Sequence, residues 1–117
     1  GDVMTALDPR TLQSMQHCPI EAKIARKLIR ELKKAGNPIG SVWYEPDGSE
    51  KVKVNGENEI LNAIFAVDVC WLATKTGAWV FFIIGNAYDA ISDCTTSLEP
   101  IMDPILDWAS DLEMKSV

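Results

Sequence analysis

The first third of the chain has the apolar spacing of an amphipathic helix, with apolar residues recurring every three or four positions. These residues are Ile24, Ala25, Leu28, Ile29 and Leu32. The pattern predicts a helix that begins at Ile20 and ends before Gly36, because a glycine suits the left-handed position that follows a helix end. Upstream, Asp8-Pro9 has the form of an N-cap followed by a proline at the first helical position, which predicts a short helix from Pro9 to about Gln16.

Two strand-like segments follow, at residues 41–45 and 50–54. They flank Pro46-Asp47-Gly48-Ser49, a run of residues that favour tight turns, and together they predict a β-hairpin. Residues 57–66 return to helical spacing and predict a short helix. Two acids fall in its first turn, where the helix dipole favours negative charge.

Three further segments have the composition of strands. Residues 67–74 and 78–84 are rich in β-branched and aromatic side chains, and Lys75-Thr76-Gly77 between them has the length of a hairpin loop. The second of these strands is apolar at nearly every position, which predicts a central strand covered on both faces. Residues 88–95 are predicted to add a third strand to this meander.

The last segment carries a helical apolar stripe. Its members are Leu98, Ile101, Met102, Ile105, Trp108, Ala109 and Leu112. Two starts fit this stripe: a kinked helix from about Leu98, or a loop that ends at Asp103 with Pro104 as the first helical residue. We favour the second, because a proline inside a helix removes a hydrogen bond.

These elements predict the fold class. Hairpin loops make a sheet mainly antiparallel, and amphipathic helices must cover at least one of its faces. We therefore expect one α+β domain over residues 1–117, with a sheet of four to five strands made of an N-terminal hairpin and a C-terminal meander. An apolar fraction of 47% with 24% charged residues fits a soluble globular protein. The longest apolar run, residues 78–84, is too short to cross a bilayer, which requires about 20 residues, so no membrane partner is expected.

The residues that usually carry chemistry are sparse. Cys18, Cys70 and Cys94 are odd in number and form no C-x-x-C pair, which favours free thiols in a reducing, cytoplasmic compartment. His17 is the single histidine and, as the neighbour of Cys18, points in a different direction on a helix, so the two do not make a catalytic dyad. Neither a zinc-type spacing nor a phosphate-binding glycine loop is found, and no metal or cofactor is predicted.

Charge is distributed unevenly. Six of the eleven basic residues lie in the predicted second helix, whereas residues 89–113 contain seven acids and no base. The basic set is Lys23, Arg26, Lys27, Arg30, Lys33 and Lys34. The acids that repeat at every fourth position, here named the acidic stripe, are Glu99, Asp103, Asp107 and Asp111. Helical spacing places such residues on one side wherever the helix is continuous.

Three interpretations of the acidic stripe are open. It is a solvated polar face, or it lies against the basic helix within one molecule or across a symmetric dimer, or it receives a basic partner protein. Direct nucleic-acid binding by the basic helix is disfavoured, because the chain has a pI of about 4.6 and no aromatic residue interleaves with the lysines.

The leading functional hypothesis is a small, non-catalytic interaction or regulatory domain that associates with itself through the basic helix and the acidic stripe. The alternative is a small-molecule-binding domain or a weakly marked enzyme with a pocket between sheet and helices. The aromatic residues assigned to that pocket are Trp43, Tyr44, Trp79 and Tyr88. Asp89 and Asp93, four apart in the predicted third strand, would share a face as an acid and base pair or as solvated edge-strand acids.

Overall fold

The computed structural model describes residues 5–116. Its helices are α1 (Pro9–His17), α2 (Pro19–Lys34), α3 (Glu57–Ile64) and α4 (Glu99–Lys115). Its strands are β1 (Ile39–Trp43), β2 (Lys51–Lys53), β3 (Val69–Thr74), β4 (Trp79–Ile83) and β5 (Ile91–Cys94). Single turns of 3-10 helix precede β5 and α4, at Ala87–Asp89 and Thr96–Leu98. The predicted α+β class is confirmed.

All five strands form one antiparallel sheet in the order β2-β1-β3-β4-β5. The predicted N-terminal hairpin is β1 and β2, and the predicted meander is β3, β4 and β5. Pairing of β1 with β3 joins these two units, which makes β3 the central strand.

The core lies between the helices and one face of this sheet, the inner face. Val42, Leu72, Val80 and Phe82 are fully buried on that face, in neighbouring strands. Helices α2, α3 and α4 contribute the side chains that pack against them. These include Ile24, Leu28, Leu32, Leu61, Ile64, Met102 and Ile105. Complete burial of a leucine, isoleucine or phenylalanine stabilises a fold by about 1.5–3 kcal/mol, so this layer is the main source of stability.

Local signals set the bounds of the first three helices. Pro9 and Pro19 stand at the first positions of α1 and α2, as the sequence predicts. Gly36, just after α2, has φ +77°, the left-handed conformation that glycine adopts without strain. Helix α3 ends at Ile64, two residues before the predicted end.

The prediction that β4 is covered on both faces is wrong. Burial alternates along this strand: Val80 and Phe82 are fully buried, whereas Trp79, Phe81 and Ile83 are only half-buried. Alternation is typical of an antiparallel sheet with helices on one side. A run that is apolar throughout hides this alternation, because both faces of the strand carry apolar residues.

Two predictions for the C-terminal third also need correction. The third strand is only Ile91–Cys94, and Asp89 lies in the preceding 3-10 turn, so Asp89 and Asp93 do not share a strand face. The last helix begins at Glu99 with Pro104 inside it, not at Pro104. Leu98 is 2% exposed and Met102 is 1% exposed. The packing of these two side chains outweighs the hydrogen bond that Pro104 removes.

Candidate functional site

The sheet face opposite the core, here named the outer face, is rich in aromatic residues. Side chains of directly paired residues project from the same side of a sheet. The register pairs Trp71 with both Trp43 and Phe81, and Ala73 with Trp79. Three of the four tryptophans in the chain therefore share the outer face, and no helix of residues 5–116 packs over them.

The rings of the outer face are held by contacts with one another and with nearby groups. The Trp71 and Phe81 rings stack with centroids 4.7 Å apart and planes inclined by 20°. Trp43 donates its indole N–H to Ser41 Oγ at 2.8 Å, and the Lys51 ammonium lies 5.2 Å from its ring centroid. A Cβ atom on Gly48 would lie 2.7 Å from the Trp43 ring, so the hairpin loop packs against this side chain. The aromatic surface is thus ordered within one molecule.

Opposite charges stand at the two edges of the outer face. Lys51 of β2 pairs with Trp43, and Asp93 of β5 pairs with Phe81. Lys51, Trp43, Trp71, Phe81 and Asp93 therefore form one row across all five strands. Its ends are four strand spacings apart, about 19 Å, so the Lys51 and Asp93 charges cannot meet within one copy.

On the other side of the molecule, four of the six cations of α2 contact carboxylates. Arg26 and Arg30 contact Glu57 of α3 at 2.7 and 2.9 Å. Burial alone would raise the pKa of Glu57, but the hydrogen bonds and positive charges of Arg30 and Arg26 outweigh burial and lower it. Lys27 and Lys34 contact Glu31 of the same helix at 3.4 and 3.7 Å. These contacts fix the carboxylates of Glu57 and Glu31 among the cations of α2.

A groove runs between α2 and α4, with Trp108 on one side and Lys27 on the other. The Lys27 ammonium lies 5.5 Å from the Trp108 ring centroid, within range of a cation–π interaction. One half of the groove, about 390 Å³, has Ile101, Pro104 and Ile105 in its lining. The adjoining half, about 400 Å³, is lined almost entirely by the cations of α2.

The acidic stripe faces water along α4. Its four carboxylate residues, Glu99, Asp103, Asp107 and Asp111, are all exposed. None of them takes part in an ion pair within residues 5–116, where the four pairs use only Glu57 and Glu31 as acids. The structure therefore brings the acidic stripe and the basic helix onto adjacent helices without pairing their charges.

The aromatic residues assigned to a ligand pocket do not come together. Trp43 and Trp79 lie on the outer face, away from the helices. Tyr44 reaches the core side, where its hydroxyl donates to the Ala63 carbonyl at 3.1 Å. The Tyr88 hydroxyl donates to Ser116 Oγ beyond the end of α4. Trp43 and Tyr44 diverge because adjacent residues of an extended chain project from opposite faces, so the four aromatic residues do not line one cavity together.

A hollow of about 360 Å³ contains His17 and Cys18, together with Ser14 and Asp68. Burial, followed by the charge and hydrogen bonding of Glu21, raises the pKa of the Cys18 thiol. A raised pKa lowers the fraction of thiolate, which is the nucleophilic form.

Within residues 5–116, no group of three or more His, Cys, Asp or Glu side chains is placed to hold a metal ion. The helices in that same part of the chain are each too short or too polar to pass through a bilayer.

Sequence reasoning missed Trp71, Phe81 and Lys51 as surface residues. The available signal was the period-two spacing of Trp79, Phe81 and Ile83, whose outward direction follows once Val80 and Phe82 are assigned to the core.

Comparisons of the chain with protein-family models, with curated proteins and with solved structures find no match. The fold and its surfaces define the class: an α+β domain whose antiparallel sheet is covered by helices on one face and is aromatic on the other.

Proposed function

We propose that this chain is a small protein-interaction domain that pairs with a second copy of itself through the outer face of its sheet. The observation that carries the proposal is the placement of Trp43, Trp71, Trp79 and Phe81 on a sheet face that no helix of residues 5–116 covers. Contiguous exposed apolar patches mark interaction sites, and tryptophan is enriched among the residues that dominate binding energy.

The charges at the edges favour one arrangement of the two copies. A two-fold axis parallel to β3 places Trp71 against the partner's Trp71 and Trp43 against the partner's Phe81. Lys51 then lies opposite the partner's Asp93, and this contact occurs twice in the dimer. A two-fold axis that is parallel to the plane of the sheet but perpendicular to the strands would instead place Lys51 opposite the partner's Lys51. Electrostatic complementarity therefore selects the first arrangement.

The area of the outer face limits the expected affinity of the proposed dimer. Five strands at about 4.8 Å spacing, each with about five residues at 3.3 Å, give a footprint of about 400 Å² per copy. Twice this area, about 800 Å², is below the roughly 1,200–2,000 Å² that specific interfaces usually bury in total and is in the range of weak, transient contacts. We therefore expect a reversible dimer with a dissociation constant in the micromolar range or weaker.

The same ring geometry disfavours stacking of nucleic-acid bases on the outer face. Base stacking requires a free aromatic face. The Trp71 ring stacks on Phe81, and Trp43 packs against Gly48 with the Lys51 ammonium over its ring. A net charge of −6 also opposes the approach of a polyanion.

The charged helices are weaker candidates for pairing two copies. Four of the six cations of α2 already contact Glu57 or Glu31, and an exposed ion pair contributes only about 0–1 kcal/mol. The acidic stripe has four exposed carboxylates outside the ion pairs of residues 5–116, and we propose it as the surface for a basic partner protein. The odd number of thiols supports a reducing, cytoplasmic setting for this proposal.

Two valines provide a matched test of the outer face. Val69 is 41% exposed and pairs with Ile83 on the outer face, whereas Val52 is 40% exposed and pairs with Val42 on the inner side. We expect Val69→Lys to abolish self-association in sedimentation equilibrium, because it places a charge in the apolar interface, and Val52→Lys to leave it unchanged. A wild-type chain that is monomeric at every concentration, or equal effects of the two variants, would contradict the proposal.

A charge exchange tests the arrangement. Lys51→Asp and Asp93→Lys each place like charges in opposition across the interface and should weaken the dimer. The double variant restores unlike pairs and should recover most of the wild-type association. Failure of the double variant to recover, with both proteins folded, would rule out the axis parallel to β3.

A further inference from the structure

We infer that the groove between α2 and α4 is a docking site for an acidic peptide segment of a partner protein, with an apolar side chain of that segment lying against Trp108. The groove is on the helical side of the molecule, opposite the outer face. This inference is therefore independent of the proposed dimer.

The charge of the groove selects an acidic occupant. Five cations line its basic half: Lys23, Arg26, Lys27, Arg30 and Lys34. They face two carboxylates, Glu31 and Glu57, so the surface has an excess of three positive charges. In a chain with a net charge of −6, this is a strong local reversal of sign. A partner that carries carboxylates would be steered to it.

The apolar half of the groove selects a peptide over other anions. Ile101, Pro104 and Ile105 line it next to the half-buried Trp108 ring. An apolar anchor flanked by charged contacts is the usual pattern of a helix or extended segment bound in a protein groove.

The neighbouring acidic stripe limits the length of the occupant. Asp103, Asp107 and Asp111 are exposed on the same helix that supplies Trp108. An extended polyanion that crossed α4 would meet these like charges, whereas a short acidic segment aligned along α2 would avoid them. The basic surface of α2 therefore favours an acidic segment, and the acidic surface of α4 disfavours an acidic segment that extends across it.

The test uses a short, fluorescently labelled synthetic peptide with glutamates on one helical face and leucines on the other. We expect binding that weakens with added salt, because the contacts are charged and solvent-accessible. Lys27→Glu/Lys34→Glu should weaken binding about tenfold or more. Lys33→Glu makes the same charge change on α2 outside this groove and should leave binding within about twofold of wild type.

Each further arm has a decisive outcome. A peptide with lysine in place of glutamate should bind the reversed variant Lys27→Glu/Lys34→Glu better than it binds wild type. Absence of binding by the acidic peptide, an equal loss in Lys33→Glu, or tighter binding of oligothymidine than of the peptide would each overturn the inference. Circular dichroism confirms folding of each variant. Sedimentation of the same samples reports the outer-face dimer separately, so failure of one proposal is distinguishable from failure of the other.

Discussion

Replacement of Gly48 by alanine tests the contact between the β1–β2 hairpin loop and Trp43. Gly48 has φ +74°, and a Cβ atom at this position would lie 2.7 Å from Cζ3 and 2.9 Å from Cε3 of the Trp43 ring. Carbon atoms in favourable contact are about 3.5–4.0 Å apart. Alanine therefore requires the ring to move by roughly 1 Å, and the ring is held by its hydrogen bond to Ser41.

Two effects add to the expected cost. An L-residue in the left-handed conformation costs about 1–2 kcal/mol. Overpacking against a side chain that is held in place costs typically about 1–3 kcal/mol. We therefore expect Gly48→Ala to lower the free energy of unfolding by about 2–5 kcal/mol. That is a large part of the roughly 5–15 kcal/mol that stabilises most domains.

Gly36 provides the matched control. It has nearly the same backbone angle, φ +77°, but a Cβ atom there meets nothing within 4 Å. Gly36→Ala should therefore show only the backbone cost of about 1–2 kcal/mol. Urea unfolding followed by circular dichroism measures both variants, and the difference between them isolates the contact with the Trp43 ring.

A double-mutant cycle checks the assignment of that difference. In a Trp43→Ala background, Gly48→Ala should cost no more than Gly36→Ala, because the ring that the methyl group would strike is absent. Equal costs for Gly48→Ala and Gly36→Ala in the wild-type background would refute the argument. The argument would also be refuted if Gly48→Ala lowered the free energy of unfolding as much in the Trp43→Ala background as in the wild type.

Two further predictions concern ionisable groups. Because the pKa of Glu57 is lowered in the folded protein, its contribution to stability is complete above its ordinary pKa of 4.5 and is lost as the pH falls toward the folded value. Glu57→Gln should therefore destabilise the protein at neutral pH, with a difference from wild type that shrinks in acid; a difference in urea unfolding that is constant with pH would contradict this. Burial raises the pKa of Cys70 to about 12, so Ellman's reagent at mildly alkaline pH should modify this thiol only on unfolding. Modification of Cys70 as fast as that of the half-buried Cys94, followed by peptide mapping, would contradict its placement.

Local signals in the sequence determined most of the secondary structure. Prolines at the first helical positions, a glycine after α2 and helical apolar spacing predicted the first three helices. Turn residues and β-branched runs predicted the hairpins, and hairpin loops implied an antiparallel sheet. These signals are reliable here because each depends on residues only a few positions apart, whose conformations are restricted by their own backbone sterics and hydrogen bonds.

The candidate surfaces depended on contacts between distant residues. The side of β4 that faces water follows from the pairing of β3 with β1 and β4 and from the packing of α2 and α4 on the other side. The start of α4 followed from the burial of Leu98 and Met102 rather than from its prolines. Glu21, only 4% exposed, is tolerated in the core because it accepts a hydrogen bond from the backbone N–H of Gly85, far away in the chain. Sequence alone determined where charge and aromatic residues lie along the chain. Only the tertiary structure decided which of them share a surface, because strand register and layer packing join segments that no local pattern connects.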